Sequence, residues 1–162
     1  MNPAFGSFRK KIIRPLWYRL FLLQRLPMAF IAGLKIVLLN ESQSVVSVRF
    51  KWLNQNPFRS IYFAVLSMAA EMSTGLLVFG QVYKRNPAVS MLVVEVKASF
   101  FKKAVGGIIF TCADGNTVDK AIEQCITTGE AVQIECCSVG KNNQGEEVAS
   151  FMFVWSCKVK KV

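Results

Sequence analysis

Alternating hydrophobic and polar positions predict six β-strands along the chain. The pattern is clearest at residues 45–52, where Val46, Val48, Phe50 and Trp52 share one face and polar side chains share the other. Such alternation is typical of a strand with one buried face. The predicted strands cover residues 34–39, 45–52, 89–100, 105–111, 131–139 and 148–159. Residues 102–104 are predicted to be the tip of a hairpin between the third and fourth strands.

Helical spacing predicts three helices. Hydrophobic residues recur every three or four positions before Pro27, which predicts one amphipathic N-terminal helix; they are Ile12, Ile13, Leu16, Trp17, Leu20, Leu23 and Leu26. A long helix over residues 59–83 is apolar on nearly all sides, and a short one over residues 118–127 ends at Gly129. Because a helix without a polar face must be covered, we predict an α+β fold whose antiparallel sheet of about six strands wraps the long helix.

The net positive charge is concentrated in the first half of the chain. Residues 1–81 carry ten basic and two acidic side chains, within a net charge of +10 for all 162 residues. Six of the basic residues lie in the first 25 positions: Arg9, Lys10, Lys11, Arg14, Arg19 and Arg25. No clean apolar core or small-residue cleavage site accompanies them, so a secretory signal is not predicted. We divide the chain into a basic amphipathic helix (1–30) and a single domain (31–162).

The N-terminal helix has two interpretations. Its apolar stripe either packs on the rest of the domain, as such stripes usually do, or contacts anionic lipid or an acidic partner. Nucleic acid is not expected as a partner, because no nucleic-acid-binding motif accompanies the positive charge. No apolar stretch without a charged residue reaches the roughly 20 residues that span a bilayer, so a spanning helix is not predicted either.

The residue counts exclude several kinds of catalytic site. The chain contains no histidine, which removes Ser-His-Asp and Cys-His nucleophile pairs and histidine-ligated zinc. The five cysteines, without a CxxC pair, are interpreted as reduced, mostly structural thiols, and no metal site is predicted. Acid–base chemistry therefore has to come from carboxylates, Tyr, Lys or Cys.

Glu71 is the only formal charge between Ser60 and Tyr83. No Lys or Arg lies three or four residues from it, so no neighbour on the same helix can pair with it. A carboxylate in apolar surroundings has a raised pKa, which suits a general base near neutral pH. The alternative is a solvent-facing or hydrogen-bonded structural Glu.

Asn56-Pro57-Phe58-Arg59-Ser60 precedes the long helix. Backbone N–H groups at a helix start can bind an oxygen that develops negative charge, and Asn56 can either cap the helix or point its amide outward. Two basic pairs, Lys102-Lys103 and Lys84-Arg85, are candidates for phosphate binding or are solvated turns.

Residues 56–71, from Asn56-Pro57-Phe58-Arg59-Ser60-Ile61-Tyr62 through Ala64-Val65-Leu66-Ser67-Met68-Ala69-Ala70 to Glu71, resemble the signature of hotdog-fold acyl-CoA thioesterases. The similarity is greatest to the phenylacetate-pathway-type clade and a related uncharacterised bacterial branch. Residues 96–107 resemble the segment that follows the central helix in these proteins. The resemblance extends over residues 34–160, and the basic N-terminal helix is an addition to the minimal fold.

The resemblance implies roles for six residues. Glu71 would be the general base or nucleophile, and Asn56 would orient water or the carbonyl. The N–H groups around Ser60 and Ile61 would polarise the thioester oxygen, and Lys102 and Lys103 would bind the CoA phosphates. The resemblance also implies a homodimer or homotetramer with its site at the dimer interface, and no cofactor besides the CoA thioester substrate.

The sequence departs from that clade at the helix start. The clade commonly has Gly or His-Gly there, whereas this chain has Phe58, Arg59 and Ser60, which would narrow the site or change the substrate. Hotdog dehydratases use a histidine, so dehydration is not expected. The sequence thus predicts a cytoplasmic acyl-CoA thioesterase. Its alternatives are a non-catalytic acyl or acyl-CoA binding protein and a protein peripheral to the inner membrane.

Overall fold

The computed structural model describes residues 1–160; the last two residues of the predicted 31–162 domain lie outside this range. Within it, the helices are α1 (Phe5–Ile12), α2 (Pro15–Arg25), α3 (Pro27–Ala32), α4 (Phe63–Val82) and α5 (Gly115–Thr128). The strands are β1 (Lys35–Leu39), β2 (Ser44–Arg49), β3 (Val89–Phe100), β4 (Gly107–Cys112), β5 (Val132–Lys141) and β6 (Glu147–Val159).

The strands form one antiparallel sheet in the order β1-β2-β4-β5-β6-β3. The long helix α4 lies against this sheet and contacts β2 to β6. The core between them is fully buried, with Leu77 and Val78 from α4 and Val46, Ile108 and Phe110 from the sheet. The predicted α+β class, six-stranded sheet and central helix are therefore confirmed.

The predicted hairpin at residues 102–104 is wrong. β3 pairs with β6 along its whole length, from Val89 opposite Val159 to Phe100 opposite Ala149, and lies at the edge of the sheet. β4 lies between β2 and β5, so residues 101–106 form a crossover between distant strands. β3 and β6 are the two longest strands, at 12 and 13 residues, and their pairing uses more backbone hydrogen bonds than a β3–β4 hairpin would.

β2 ends earlier than the alternation predicts. Its last residue is Arg49, and Trp52 lies in a short 3₁₀ turn with 79% of its surface exposed. The Lys51 N–H donates to Asn54 Oδ1 at 2.7 Å. This N–H therefore bonds to a side chain and not to a backbone carbonyl of a neighbouring strand. Val46 and Val48 face the core as predicted, whereas Trp52 does not.

The N-terminal region contains three short helices where the sequence predicted one. Pro15 and Pro27 each stand at a helix start, where a missing N–H costs no hydrogen bond. The residues that face the core are Phe5, Phe8, Ile12, Tyr18 and Leu22. Of the seven stripe residues, only Ile12 is buried. The stripe therefore does not form one buried face, as that interpretation requires.

The first residues of the chain are attached to the end of α4. The buried Asn2 side chain donates from Nδ2 to the carbonyl oxygens of Gly80 at 2.8 Å, Gln81 at 3.1 Å and Tyr83 at 2.9 Å. The Phe5 ring packs directly on Gly80, where a Cβ would meet ring atom Cδ2 at 2.7 Å. These contacts hold α1 to the central helix.

By length and composition, α4 is apolar enough to cross a membrane. It is instead largely buried, with the sheet and the N-terminal helices around it. Its apolar character is accounted for by this burial in the core.

Candidate active site

α4 begins without a side-chain cap. Tyr62 occupies the N-cap position in an extended conformation, and its side chain makes no capping hydrogen bond. Within residues 1–160, no protein acceptor pairs with the N–H groups of Phe63 and Ala64. Free N–H groups and the helix dipole give this helix start a partial positive charge that favours a negatively charged oxygen.

Asn56 organises the loop before α4. Its Oδ1 accepts hydrogen bonds from the Phe58 N–H at 2.9 Å and from the Ser60 N–H and hydroxyl, both at 3.2 Å. In the described chain its Nδ2 donates to no protein acceptor, so this amide is available to a ligand. The Ile61 N–H donates to Ala104 O at 2.8 Å.

The predicted oxygen-binding donors are therefore engaged within the protein. The N–H groups of Ser60 and Ile61 both have protein acceptors because the helix begins at Phe63, four residues after the predicted start. The free backbone N–H groups at the start of α4 are instead those of Phe63 and Ala64. Arg59, in the turn between, has a positive φ of 57°, which non-glycine residues rarely adopt.

An open cleft of about 490 Å³ lies at this helix start, and we call it the α4 cleft. It brings together Asn56, Ser60, Ile61, Lys102 and Lys103, five of the six residues with predicted site roles. Its apolar wall contains Phe58, Tyr62, Phe63, Leu66, Phe100 and Phe101. The cleft thus combines an apolar wall with an amide, two ammonium groups and the uncapped helix.

The basic residues at and near the cleft differ in their partners. Lys102 Nζ is bonded to Glu146, in an exposed pair at the rim. Lys103 is exposed and has no ion-pair partner within the described residues. Arg85 pairs with Glu123 of α5 at 2.6 Å, and neither Lys84 nor Arg85 lines the α4 cleft.

Glu71 lies on α4, beneath the junction of α2 and α3. It lines two small adjoining cavities of about 160 and 210 Å³, together called the Glu71 pocket. The walls are mostly apolar: Tyr18, Phe21, Leu26, Pro27, Met28, Met68, Met72, Leu76, Phe79 and Met91. Arg25 also lines this pocket but makes no ion pair with Glu71. Burial raises the pKa of the Glu71 carboxyl above its ordinary value.

Gly75, one turn after Glu71, leaves room for the carboxylate. A Cβ at this position would lie 3.3 Å from Glu71 Oε1 and 3.2 Å from Trp155 Cζ2. Trp155 is held in place because its Nε1 donates to Thr74 Oγ1 at 3.0 Å. The space left by the missing side chain of Gly75 is therefore bordered by both the Glu71 carboxylate and the Trp155 ring.

Within one chain, Glu71 is separated from the α4 cleft. Glu71 follows Phe63 by eight positions, which corresponds to about 12 Å along a helix. Catalytic groups act on a thioester carbonyl from about 3 Å. One carbonyl therefore cannot reach both the Glu71 carboxylate and the free N–H groups at the start of α4 in the same chain. One chain therefore presents two half-sites, the α4 cleft and the Glu71 pocket.

Sequence reasoning missed three contributors to these half-sites. Phe63 and Ala64 supply the free N–H groups. They were missed because the helix was predicted to start at residue 59, which places both residues inside it. Tyr18 covers Glu71 from α2, and its spacing from Leu22 could have indicated a second, inward face. Among residues 1–160, no three Cys, Asp or Glu side chains are grouped as metal ligands.

No protein-family model matches the sequence, and no curated protein is similar to it in sequence. Several solved structures match its shape. A probable thioesterase from Pseudomonas aeruginosa has a TM-score of 0.75 at 18% identity, covering 90% of this chain and 97% of that one. A Chlorobaculum tepidum protein of unknown function has a TM-score of 0.74 at 16% identity, covering 91% and 98%.

A thioesterase family protein from Silicibacter pomeroyi has a TM-score of 0.62 at 14% identity, covering 88% of this chain and 96% of that one. Identities this low establish a shared fold. The sheet wrapped on one long helix, together with these likenesses, shows that the chain has the thioesterase-like hotdog fold with additional N-terminal helices.

Proposed function

We propose that this protein hydrolyses acyl-CoA thioesters. The observation that carries the proposal is Glu71, a partly buried carboxylate on the central helix whose pKa is raised by apolar surroundings. A raised pKa makes the carboxylate a better base at neutral pH. The thioesterase-like fold supports the same reaction class.

In the proposed reaction, Glu71 takes a proton from water while the water oxygen attacks the thioester carbon. The carbonyl oxygen becomes negative and is stabilised by the free N–H groups of Phe63 and Ala64. Each such donor contributes about 10²–10³ in rate. The C–S bond then breaks, and the proton held by Glu71 passes to the thiolate, leaving a carboxylic acid and CoA.

Asn56 and the lysines would position the substrate. The free Asn56 Nδ2 lies at the α4 cleft and can donate to the attacking water or to the acyl carbonyl. Lys103 has no ion-pair partner among the described residues, and the Lys102–Glu146 pair is exposed and so weakly held. Both ammonium groups are candidates to bind CoA phosphates.

We propose that two copies complete each site. β3 forms an edge of the sheet and exposes Leu92, Val94 and Val96, which is a template for pairing with another strand. Antiparallel pairing of β3 with the second copy's β3 would place the two α4 helices side by side in opposite directions. Glu71 of one copy could then approach the α4 cleft of the other, in a dimer or in a tetramer built from two such dimers.

The test is hydrolysis of a panel of acyl-CoAs, with free CoA measured by chromatography because exposed Cys137 would react with a thiol dye. Glu71→Gln should abolish CoA release without changing the fold, whereas the exposed control Glu130→Gln should retain activity. Hydrolysis by Glu71→Gln at the wild-type rate would refute the role of Glu71.

The separation of the two half-sites favours one alternative, an acyl-CoA binding protein without activity. In that case wild-type protein would bind acyl-CoA saturably and release no CoA. Sedimentation velocity distinguishes the causes. If the protein is a monomer that binds acyl-CoA without hydrolysis, its active site is incomplete because the second copy is missing. If it is a dimer that binds acyl-CoA without hydrolysis, it is a binding protein.

A further inference from the structure

α2 carries apolar side chains on the side that faces away from the protein. Leu16 is 81% exposed, Leu20 43% and Leu23 53%. Their i, i+4, i+7 spacing places them on one side of the helix, opposite the buried Tyr18 and Leu22. The outward face of α2, defined by Leu16, Leu20 and Leu23, is an apolar surface of the kind that marks an interaction site.

Two basic side chains, each in a cation–π contact with an aromatic ring, flank this face on opposite sides. Lys11 Nζ lies 4.8 Å from the centre of the half-exposed Trp17 ring. Beyond the other flank, the Arg19 guanidinium lies 5.7 Å from the Phe30 ring. An apolar stripe bordered by cations and an interfacial Trp is the pattern of a helix that lies in a membrane surface.

The surrounding segment contains no negative charge. Residues 1–40 include seven Lys and Arg side chains and no Asp or Glu. Within the described chain none of the seven pairs with a carboxylate within 4.0 Å. These charges are therefore available to an external anionic partner.

A large cleft on the Arg19 side of α2 extends the basic rim. It has a volume of about 760 Å³, and Arg19, Lys35 and Lys51 line it together with apolar residues such as Leu22 and Ile31. Cations above an apolar wall suit an amphiphile with an anionic head. A second copy of the chain suits this surface less well, because two such faces would bring like charges together.

We propose that the outward face of α2 docks on the surface of a bilayer that contains anionic lipid. Leu16, Leu20 and Leu23 enter the boundary of the acyl chains, Trp17 lies at the headgroup level, and the flanking cations contact lipid phosphates. The helix lies in the membrane plane and does not cross it. This inference is independent of the proposed hydrolysis.

The experiment is co-sedimentation of the full chain with vesicles of phosphatidylcholine alone or mixed with phosphatidylglycerol. We expect binding to the anionic vesicles, little binding to the neutral ones, and release at high salt, because salt screens surface attraction. The Leu16→Ser/Leu20→Ser/Leu23→Ser variant should bind at least about tenfold more weakly. Trp52→Ser, which removes a 79% exposed side chain outside α2, is the apolar control.

A second pair of variants tests the charges separately and removes no apolar side chain. Lys11→Glu/Arg19→Glu, at the two flanking cations, should weaken binding by about tenfold or more, whereas the same double charge reversal at exposed positions of α5 and β6, Lys120→Glu/Lys158→Glu, should weaken it less. Equal binding to neutral and anionic vesicles, or unchanged binding by the folded leucine variant, would overturn the proposal. Failure of the wild type to bind, with the leucine variant changing the oligomeric mass, would assign this face to a second copy.

Discussion

The Tyr18 hydroxyl of α2 donates to the Met72 sulfur of α4 at 2.9 Å, in a buried contact. Burial raises the pKa of the Tyr18 hydroxyl above its ordinary value, so the group remains a protonated donor. Met72 follows Glu71 directly, and both line the same pocket as Tyr18. One aromatic residue thus holds α2 against the central helix and covers the candidate base.

Replacing Tyr18 tests whether this contact holds the N-terminal helices. Tyr18→Ala removes a buried ring, and we expect the free energy of unfolding to fall by about 3–5 kcal/mol. Tyr18→Phe keeps the ring and loses only the hydroxyl, so it should cost about 1 kcal/mol or less. Urea unfolding measures both, and a Tyr18→Ala protein as stable as the wild type would contradict the packing.

The raised pKa of Glu71 predicts how stability changes with pH. The native state keeps this proton to a higher pH than the unfolded chain, whose carboxyl titrates near the ordinary value of 4.5. The contribution of Glu71 to the free energy of unfolding therefore decreases as the pH rises from 4.5 through the native pKa.

Glu71→Gln does not titrate, so it should lack this decrease and gain stability relative to the wild type as the pH rises. Urea unfolding of both proteins between about pH 4 and pH 8 measures the difference. Glu130→Gln serves as the exposed control. A stability difference between wild type and Glu71→Gln that is constant with pH would rule out a raised native pKa.

Gly75→Ala is expected to separate activity from stability. Its Cβ would crowd Glu71 Oε1 and the Trp155 ring, and Trp155 is fixed by its bond to Thr74, so the carboxylate must move. Ala is favoured over Gly in a helix by about 1 kcal/mol, which offsets the crowding. We expect stability within about 1 kcal/mol of wild type and a lower kcat on acyl-CoA.

Gly80→Ala is the matched control on the same helix. There the added Cβ meets the Phe5 ring and lies away from the Glu71 pocket. It should lower the melting temperature and leave kcat nearly unchanged. If Gly75→Ala left kcat unchanged and Gly80→Ala lowered it, Gly75 would have no part in positioning the Glu71 carboxylate.

Asn2→Ala should loosen the attachment of α1. The substitution leaves three carbonyl oxygens at the end of α4 without their donor, and we expect a loss of about 1–3 kcal/mol. Asn2→Asp, which has the same shape but no N–H donor, should be at least as destabilising. Ser7→Ala, at an exposed position of α1, should change the urea midpoint little; a larger effect than that of Asn2→Ala would contradict the attachment.

Local pattern was sufficient to predict the central architecture. A helix apolar on nearly all sides has to be wrapped, and the alternation around Val46 and Val48 indicates which side of a strand faces it. The partner of β3 could not be predicted in this way, because pairing with β6 depends on contacts about sixty residues away. Strand neighbours in sequence were wrongly assumed to be neighbours in space.

The N-terminal helices and the helix start show two further limits. α2 is apolar on two faces, and periodicity alone does not say whether Tyr18 and Leu22 or Leu16 and Leu20 face the core. Pro57 indicated a helix start, but Asn56 Oδ1 holds the following residues in a turn. Asn56 and Glu71 could be selected from sequence because each stands out chemically, whereas free N–H groups become visible only from the backbone.

The bonds of Asn2 to α4 mean that the N-terminal helices are already folded and attached in the isolated chain. A segment that orders only on contact loses conformational entropy at that moment, which weakens its association. The preorganised α2 would lose little of this entropy. Its association with any partner should therefore proceed without a folding step, and the helical content of the protein should be the same before and after contact.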